Sequence, residues 1–176
     1  MPEIAMVLKM QTDYALRTLI YLAHLNEQVP VETIADAYKI SKDHLVKVVQ
    51  QLVRLGYVAS KAGRHGGVRL AKDPATINCA AVVGDFEGRN GLLPCVNDIA
   101  YCVLEPGCKL RLGLISAENA MYQVLEKLTV ADMVRAPTDG TKAGGIYNLT
   151  VHGAPARPIA PATPPPDTAG ASSSAN

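Results

Sequence analysis

Between Ser41 and Gly56 the chain places apolar residues at Leu45, Val48, Val49 and Leu52, a spacing that gathers all four on one face of a helix. The opposite face carries Asp43, Lys47, Gln50, Gln51 and Arg54, with His44 at its margin. Ser41 is a candidate N-cap and Gly56 a stop, so the pattern predicts a helix running to about Leu55. A helix this two-faced must lie with its apolar side on a core, and its neighbours in sequence decide which core. Upstream, Leu16, Leu19, Ile20 and Ala23 predict a helix over 12–26, and 31–38 reads as a second, short one. Downstream, 57–60 and 68–70 read as short strands around KAGRHGG, whose three glycines suit a tight hairpin. A fourth helix is expected over 77–87. The expected fold class is mainly α: a winged helix-turn-helix domain with a small β wing.

Charge is unevenly spread. The net charge is only +1, yet seven basic residues stand between Lys42 and Lys72 against one acid, Asp43. A short helix, a turn and a second helix with a polar outer face suit docking in a DNA major groove. The candidate DNA contacts are Ser41, Lys42, His44, Lys47 and Gln51 on the helix, with Arg64 and His65 at the hairpin tip poised for the minor groove. Cations suit phosphates or guanine, and the Gln51 amide can pair bidentately with adenine. An ordinary solvated helix face is the alternative, which the adjoining basic hairpin disfavours.

Cys95, Cys102 and Cys108 crowd into CVNDIAYCVLEPGC, a Cys-x6-Cys-x5-Cys spacing. The N-terminus lacks the pattern of a secretion signal and no apolar run approaches the ~18 residues of a membrane span. A cytoplasmic chain with reduced thiols is therefore expected. Thiolates ligate zinc and iron–sulfur clusters alike. The spacing is wider than zinc-knuckle pairs, and a wide loop with three sulfurs suits a cluster better. Cys79 sits among small apolar residues at the start of the expected fourth helix and reads as buried, not as a ligand.

From Lys109 to Leu128 apolar residues recur at Leu110, Leu114, Ala117, Met121, Val124 and Leu128, the seam spacing of a helix packed on a partner helix. A core helix would show the same stripe, but the preceding elements already close a small unit, which favours a dimerisation helix. From Pro137 the chain gains seven prolines and a terminal run of serines, a composition expected to stay disordered. The expected organisation is an N-terminal extension over 1–10, a DNA-binding domain over 11–87, a cysteine loop over 88–108, a dimerisation helix over 109–135 and a tail over 136–176. No nucleophile and base pair up in a pocket-like context and the four histidines are scattered, so no enzyme is expected.

The segments TDYALRTLIYLA from Thr12, ISKDHLVKVVQQLVRLGYV from Ile40 and GRHGGVRLAKDPATI from Gly63, followed by the three-cysteine loop, resemble the Rrf2 family of winged-helix repressors. The resemblance spans about residues 6–134 and is strongest to the NsrR-type, nitric-oxide-sensing branch. It implies a homodimer with crossing C-terminal helices and an iron–sulfur cluster on Cys95, Cys102 and Cys108, with 4Fe-4S expected ahead of 2Fe-2S. It also implies a carboxylate ligand from the other subunit near the start of the first helix, which is Asp13 here. Thr12 or Asp13 could instead cap that helix, and Asn97, Asp98 and Glu105 compete locally as ligands. The IscR-type branch carries a histidine three residues after its last cysteine, where this chain has Arg111. The implied function is repression of nitric-oxide detoxification genes, relieved by nitric oxide. The alternatives are a same-fold regulator sensing iron, cluster supply or redox state, and a small metal or iron–sulfur protein with no role in transcription.

Overall fold

The computed structural model describes residues 8–63, 66–88, 91–98, 104 and 107–134. The tail over 136–176 lies outside them. Helix α1 (Met10–Leu25) is central, followed by α2 (Val31–Tyr38) and α3 (Lys42–Arg54). Strands β1 (Val58–Lys61) and β2 (Gly67–Leu70) pair antiparallel, with Val58 opposite Leu70 and Lys61 opposite Gly67. A 3-10 turn (Pro74–Thr76) leads into α4 (Cys79–Glu87). The expected helices and hairpin are present, with ends shifted by a few residues.

The shifts have physical causes. Helix α1 begins at Met10, before the expected residue 12, and neither Thr12 nor Asp13 caps it. The cap comes from far along the chain. Glu87, at the end of α4, accepts the Lys9 backbone N–H at 2.8 Å and the Thr12 hydroxyl. The Lys9 ammonium in turn donates to the carbonyls of Phe86 at 3.3 Å and Glu87 at 2.8 Å. Each helix end thus satisfies the orphan groups of the other. Helix α4 begins at Cys79 and not at Ile77, because the Asn78 side chain accepts the backbone N–H groups of Ala80 and Ala81 at 2.9 and 3.2 Å. Ser41 holds the N-cap position of α3, but its hydroxyl makes no capping bond.

The core forms where these helices meet. Ala15, Leu19 and Leu22 of α1 pack with Ile34 of α2, Leu45, Val48 and Leu52 of α3, Val58 and Val68 of the hairpin, and Val82 and Phe86 of α4. Val29, just before α2, bonds both ways with Val68, at 2.9 and 2.8 Å, which pins the hairpin to the helices. Gly67 makes that approach possible: a Cβ there would stand 2.6 Å from the Val29 carbonyl oxygen.

Two elements were not expected. A single-turn helix, α5 (Pro94–Asn97), interrupts the cysteine loop. The helix predicted over 109–128 is α6 (Lys109–Leu125), which ends early, and beyond it a short α7 (Val130–Val134) turns back onto α1. The Asp132 carboxylate accepts the Thr129 backbone N–H at 2.8 Å and its hydroxyl at 2.6 Å, a local box that starts α7. Val130 and Val134 join the main core. Among the described residues no helix is long and apolar enough to cross a membrane.

Candidate nucleic-acid interface and metal centre

The polar face of α3 is open, as the spacing of its apolar residues requires. Ser41, Lys42, Asp43, His44 and Lys47 are exposed, while Gln51 is half-buried. Lys42 pairs with Glu32 of α2 at 3.1 Å, with both side chains exposed. Such a pair is worth about 0–1 kcal/mol, so Lys42 can exchange it for a phosphate at little cost. Between α2, α3 and the hairpin runs a groove of about 340 Å³ lined by Lys42, Gln50, Ser60 and Lys61 among others. Lys61 is one of the seven basic residues counted between Lys42 and Lys72, whereas Glu32 was not singled out in the sequence, because only the fold brings it beside α3. Arg64 and His65 lie outside the described residues.

Asp13 sits in the first turns of α1, one helical turn before Arg17. The Arg17 Nε donates to both of its carboxylate oxygens, at 2.8 and 2.9 Å. This hydrogen bond to Asp13 raises the Arg17 pKa, against the opposing effect of burial. The guanidinium also lies over the Tyr38 ring, 5.6 Å from its centroid. Tyr38 packs edge-on to Tyr21, and burial pushes its phenol up to about 12. Within the chain, then, Asp13 faces a cation. Among the described residues no three His, Cys, Asp or Glu side chains converge.

Cys95 lies on α5 and Cys108 at the N-cap position of α6; both are half-buried and neither is in a disulfide. Arg111, in the first turn of α6, joins the two elements. Its Nε donates to the Cys95 carbonyl at 2.7 Å and its Nη2 to the Val96 carbonyl at 3.0 Å. Cys102, Glu105 and the Asn97 side chain lie outside the described residues, and Asp98 is exposed. Cys79 is 4% exposed at the start of α4, and burial pushes its thiol pKa up. It belongs to the packed body, as its apolar neighbours in sequence predicted. The described residues cover the stripe on α6 only in part: no residue of the helix is buried, Leu114 and Met121 are half-buried, and Leu110 and Val124 are 66% and 61% exposed.

This arrangement of elements is shared with known proteins. The Rrf2 family pattern, described as iron-dependent transcriptional regulator, matches residues 8–136, from the lead-in of α1 to just past α7. The chain belongs to the Rrf2 family. An HTH-type transcriptional regulator named NsrR from Bacillus licheniformis is 44% identical over 126 residues, covering 70% of this chain and 88% of that protein. The regulator of the same name from Shouchella clausii is 43% identical over 132 residues, covering 73% and 89%. The solved structure of CymR, the global cysteine regulator of B. subtilis, superposes with a TM-score of 0.62 at 23% identity, over 74% of this chain and 97% of that one, and so shares its fold. These relatives are transcriptional regulators and not enzymes. Together they support an NsrR-type Rrf2 regulator.

Proposed function

We propose that this Rrf2 regulator is a cytoplasmic, homodimeric DNA-binding repressor that senses nitric oxide through an iron–sulfur cluster held by Cys95, Cys102 and Cys108. The observation that carries this reading is the placement of the cysteines. Two half-buried thiols stand on α5 and at the start of α6, the helix whose apolar stripe is in part exposed. Soft thiolates on a wide loop fit a cluster, and the resemblance to NsrR-type regulators favours 4Fe-4S over 2Fe-2S. When bound, the cluster supplies iron with which nitric oxide reacts. The protein's own part is to keep α5 and the start of α6 together, and to present Lys42, His44, Lys47 and Gln51 at a fixed distance from their copies across the dimer.

Asp13 is the proposed fourth ligand, contributed across the dimer. In that role it would exchange the Arg17 guanidinium, its partner at 2.8 Å, for iron. The exchange is inexpensive, because Asp13 and Arg17 are 40% and 48% exposed and pairs of that kind contribute about 1 kcal/mol or less. Repression then follows from a difference in DNA affinity between the two loop states; a tenfold difference corresponds to about 1.4 kcal/mol.

The test is anaerobic purification, assay of iron and sulfide, and measurement of affinity for the protein's own promoter before and after nitric oxide. A coloured protein that loses DNA affinity on nitrosylation is expected. Unchanged affinity after nitrosylation, with affinity lost on iron depletion, would instead establish the second reading, a sensor of iron or cluster supply. That reading is favoured by the family's description as iron-dependent.

A further inference from the structure

We propose that Arg111 is the positioning residue through which the state of the cysteine loop reaches helix α6 within a single chain. The inference rests on the cluster reading above but adds a route that does not pass through Asp13 or the second subunit. It starts from a deficit in α5. A helix of four residues leaves its last carbonyls without partners of its own. Arg111 supplies them, its two-pronged donor spanning the carbonyls of Cys95 and Val96 at 2.7 and 3.0 Å. One of those carbonyls belongs to the residue that carries a proposed ligand thiol.

The guanidinium offers donors only and stays charged, so it is no iron ligand; it fixes backbone. Arg111 is three residues after Cys108, so the two share a face at the start of α6. Val96 anchors the turn from the other side. It is 8% exposed and packs on Gly91, where a Cβ would come within 2.8 Å of the Val96 Cβ. Gly91 has φ +69, so a side chain there is strained twice over. The turn bearing Cys95 is thus held between Gly91 and Arg111.

The far end of α6 is tied to the DNA-reading body by polar bonds. Asn78 Nδ2 donates to the Glu126 carbonyl at 2.8 Å. The Cys79 N–H donates to the Leu128 carbonyl, and the Val130 N–H to the Ile77 carbonyl, both at 2.9 Å. No α6 residue is fully buried, although Leu114, Met121 and Leu125 are half-buried, so these bonds and the Arg111 fork help to set where the helix lies. A 17-residue helix is a stiff lever of about 25 Å. A change in α5 pulls on its first turn, and Asn78 receives the motion at its last.

The test compares the full-length wild-type chain with Arg111→Ala and Arg111→Lys. In cluster-free protein, amide hydrogen exchange at 96–98 and 109–112 is expected to speed up in Arg111→Ala, less so in Arg111→Lys, with the amides of 130–134 unchanged. In cluster-loaded protein, the ratio of promoter affinities with and without cluster is expected to shrink about fivefold in Arg111→Ala, the low end of measured couplings. Wild-type exchange rates in both variants, or a wild-type affinity ratio in Arg111→Ala, would overturn the inference. A wild-type protein without iron and sulfide sinks the cluster reading instead, which separates the two failures.

Discussion

The DNA-reading body and the arm made of α5 and α6 are stabilised by opposite means. In the body, Ala15, Leu19, Ile34, Leu45 and Leu52 are fully buried, and every helix from α1 to α4 contributes to one core. In the arm, no α6 residue is fully buried, Val96 is the one buried side chain among the described loop residues, and half-buried contacts are supplemented by hydrogen bonds from Arg111 and Asn78. Apolar burial is non-directional and cooperative, so the body keeps its shape whatever binds to it. A few polar contacts at helix ends hold an element in place but resist displacement weakly. Such a difference suits a sensor, whose reading surface must stay intact while its reporting element shifts.

One substitution on each side tests this difference most strongly. Leu52→Ala is expected to lower unfolding stability by about 2–5 kcal/mol, since the side chain is fully buried. Val124→Asp, on the open face of α6, is expected to change the midpoint of the body's unfolding by no more than about 0.5 kcal/mol-equivalent while shifting sedimentation from dimer to monomer. Urea titration followed by tyrosine emission, with analytical ultracentrifugation, reads both. Equal destabilisation by the two variants would mean that the arm is part of the core after all.

The cysteines divide along the same line. Cys79→Ser places a hydroxyl in an apolar site and is expected to cost about 1–3 kcal/mol while leaving the cluster chromophore intact. Cys95→Ser and Cys108→Ser are expected to abolish the chromophore and leave the melting of the cluster-free protein unchanged. A colourless Cys79→Ser protein with normal stability would move that thiol from the body to the arm.

What was legible in the sequence follows this division. The stripe Leu45, Val48, Val49, Leu52 announced both α3 and its buried face, because local periodicity and burial are the same signal there. The hairpin and the buried Cys79 were legible for similar local reasons. What escaped was long-range. The cap that Glu87 gives α1, the Val29 bridge to the hairpin and the return of α7 onto α1 join residues far apart in sequence, with no periodicity to reveal them. Arg111 was visible only as a residue unlike the histidine of a related branch. Its function as a clamp appears once α5 exists, and four residues are too few to announce a helix.

On the reading surface the expected effects are smaller. Lys47→Ala is expected to weaken promoter binding roughly uniformly across sequences and reduce the salt slope of log K by about 1, as loss of one phosphate contact does. Glu32→Gln frees Lys42 from its 3.1 Å partner and is expected to strengthen binding slightly, most visibly at low salt. Neither change touches the arm, so the response to nitric oxide should be unaltered. A Lys47→Ala protein that binds DNA normally but no longer responds would place the signal path through α3.

The smallest effect concerns pH and belongs to the body alone. Burial raises the Tyr38 phenol from 10.0 to about 12, while Arg17 over its ring works in the opposite direction and Tyr21 and Asp13 add to the rise. Because the folded pKa lies above the unfolded one, the native state holds this proton more tightly. The associated stability is fully present below about pH 10 and is lost as pH rises through about 12. Tyr57 shifts the same way, through burial and its hydrogen bond to Asp85 at 2.7 Å, so the wild-type loss has at least two sources. Tyr38→Phe removes one of them. Urea midpoints taken between about pH 9 and pH 12 should therefore fall less steeply in Tyr38→Phe than in wild type, with the two proteins closest at the acidic end. Parallel curves would show that Tyr38 is as solvated in the folded chain as in the unfolded one, and that the contact between α1 and α2 is looser than the rest of the body.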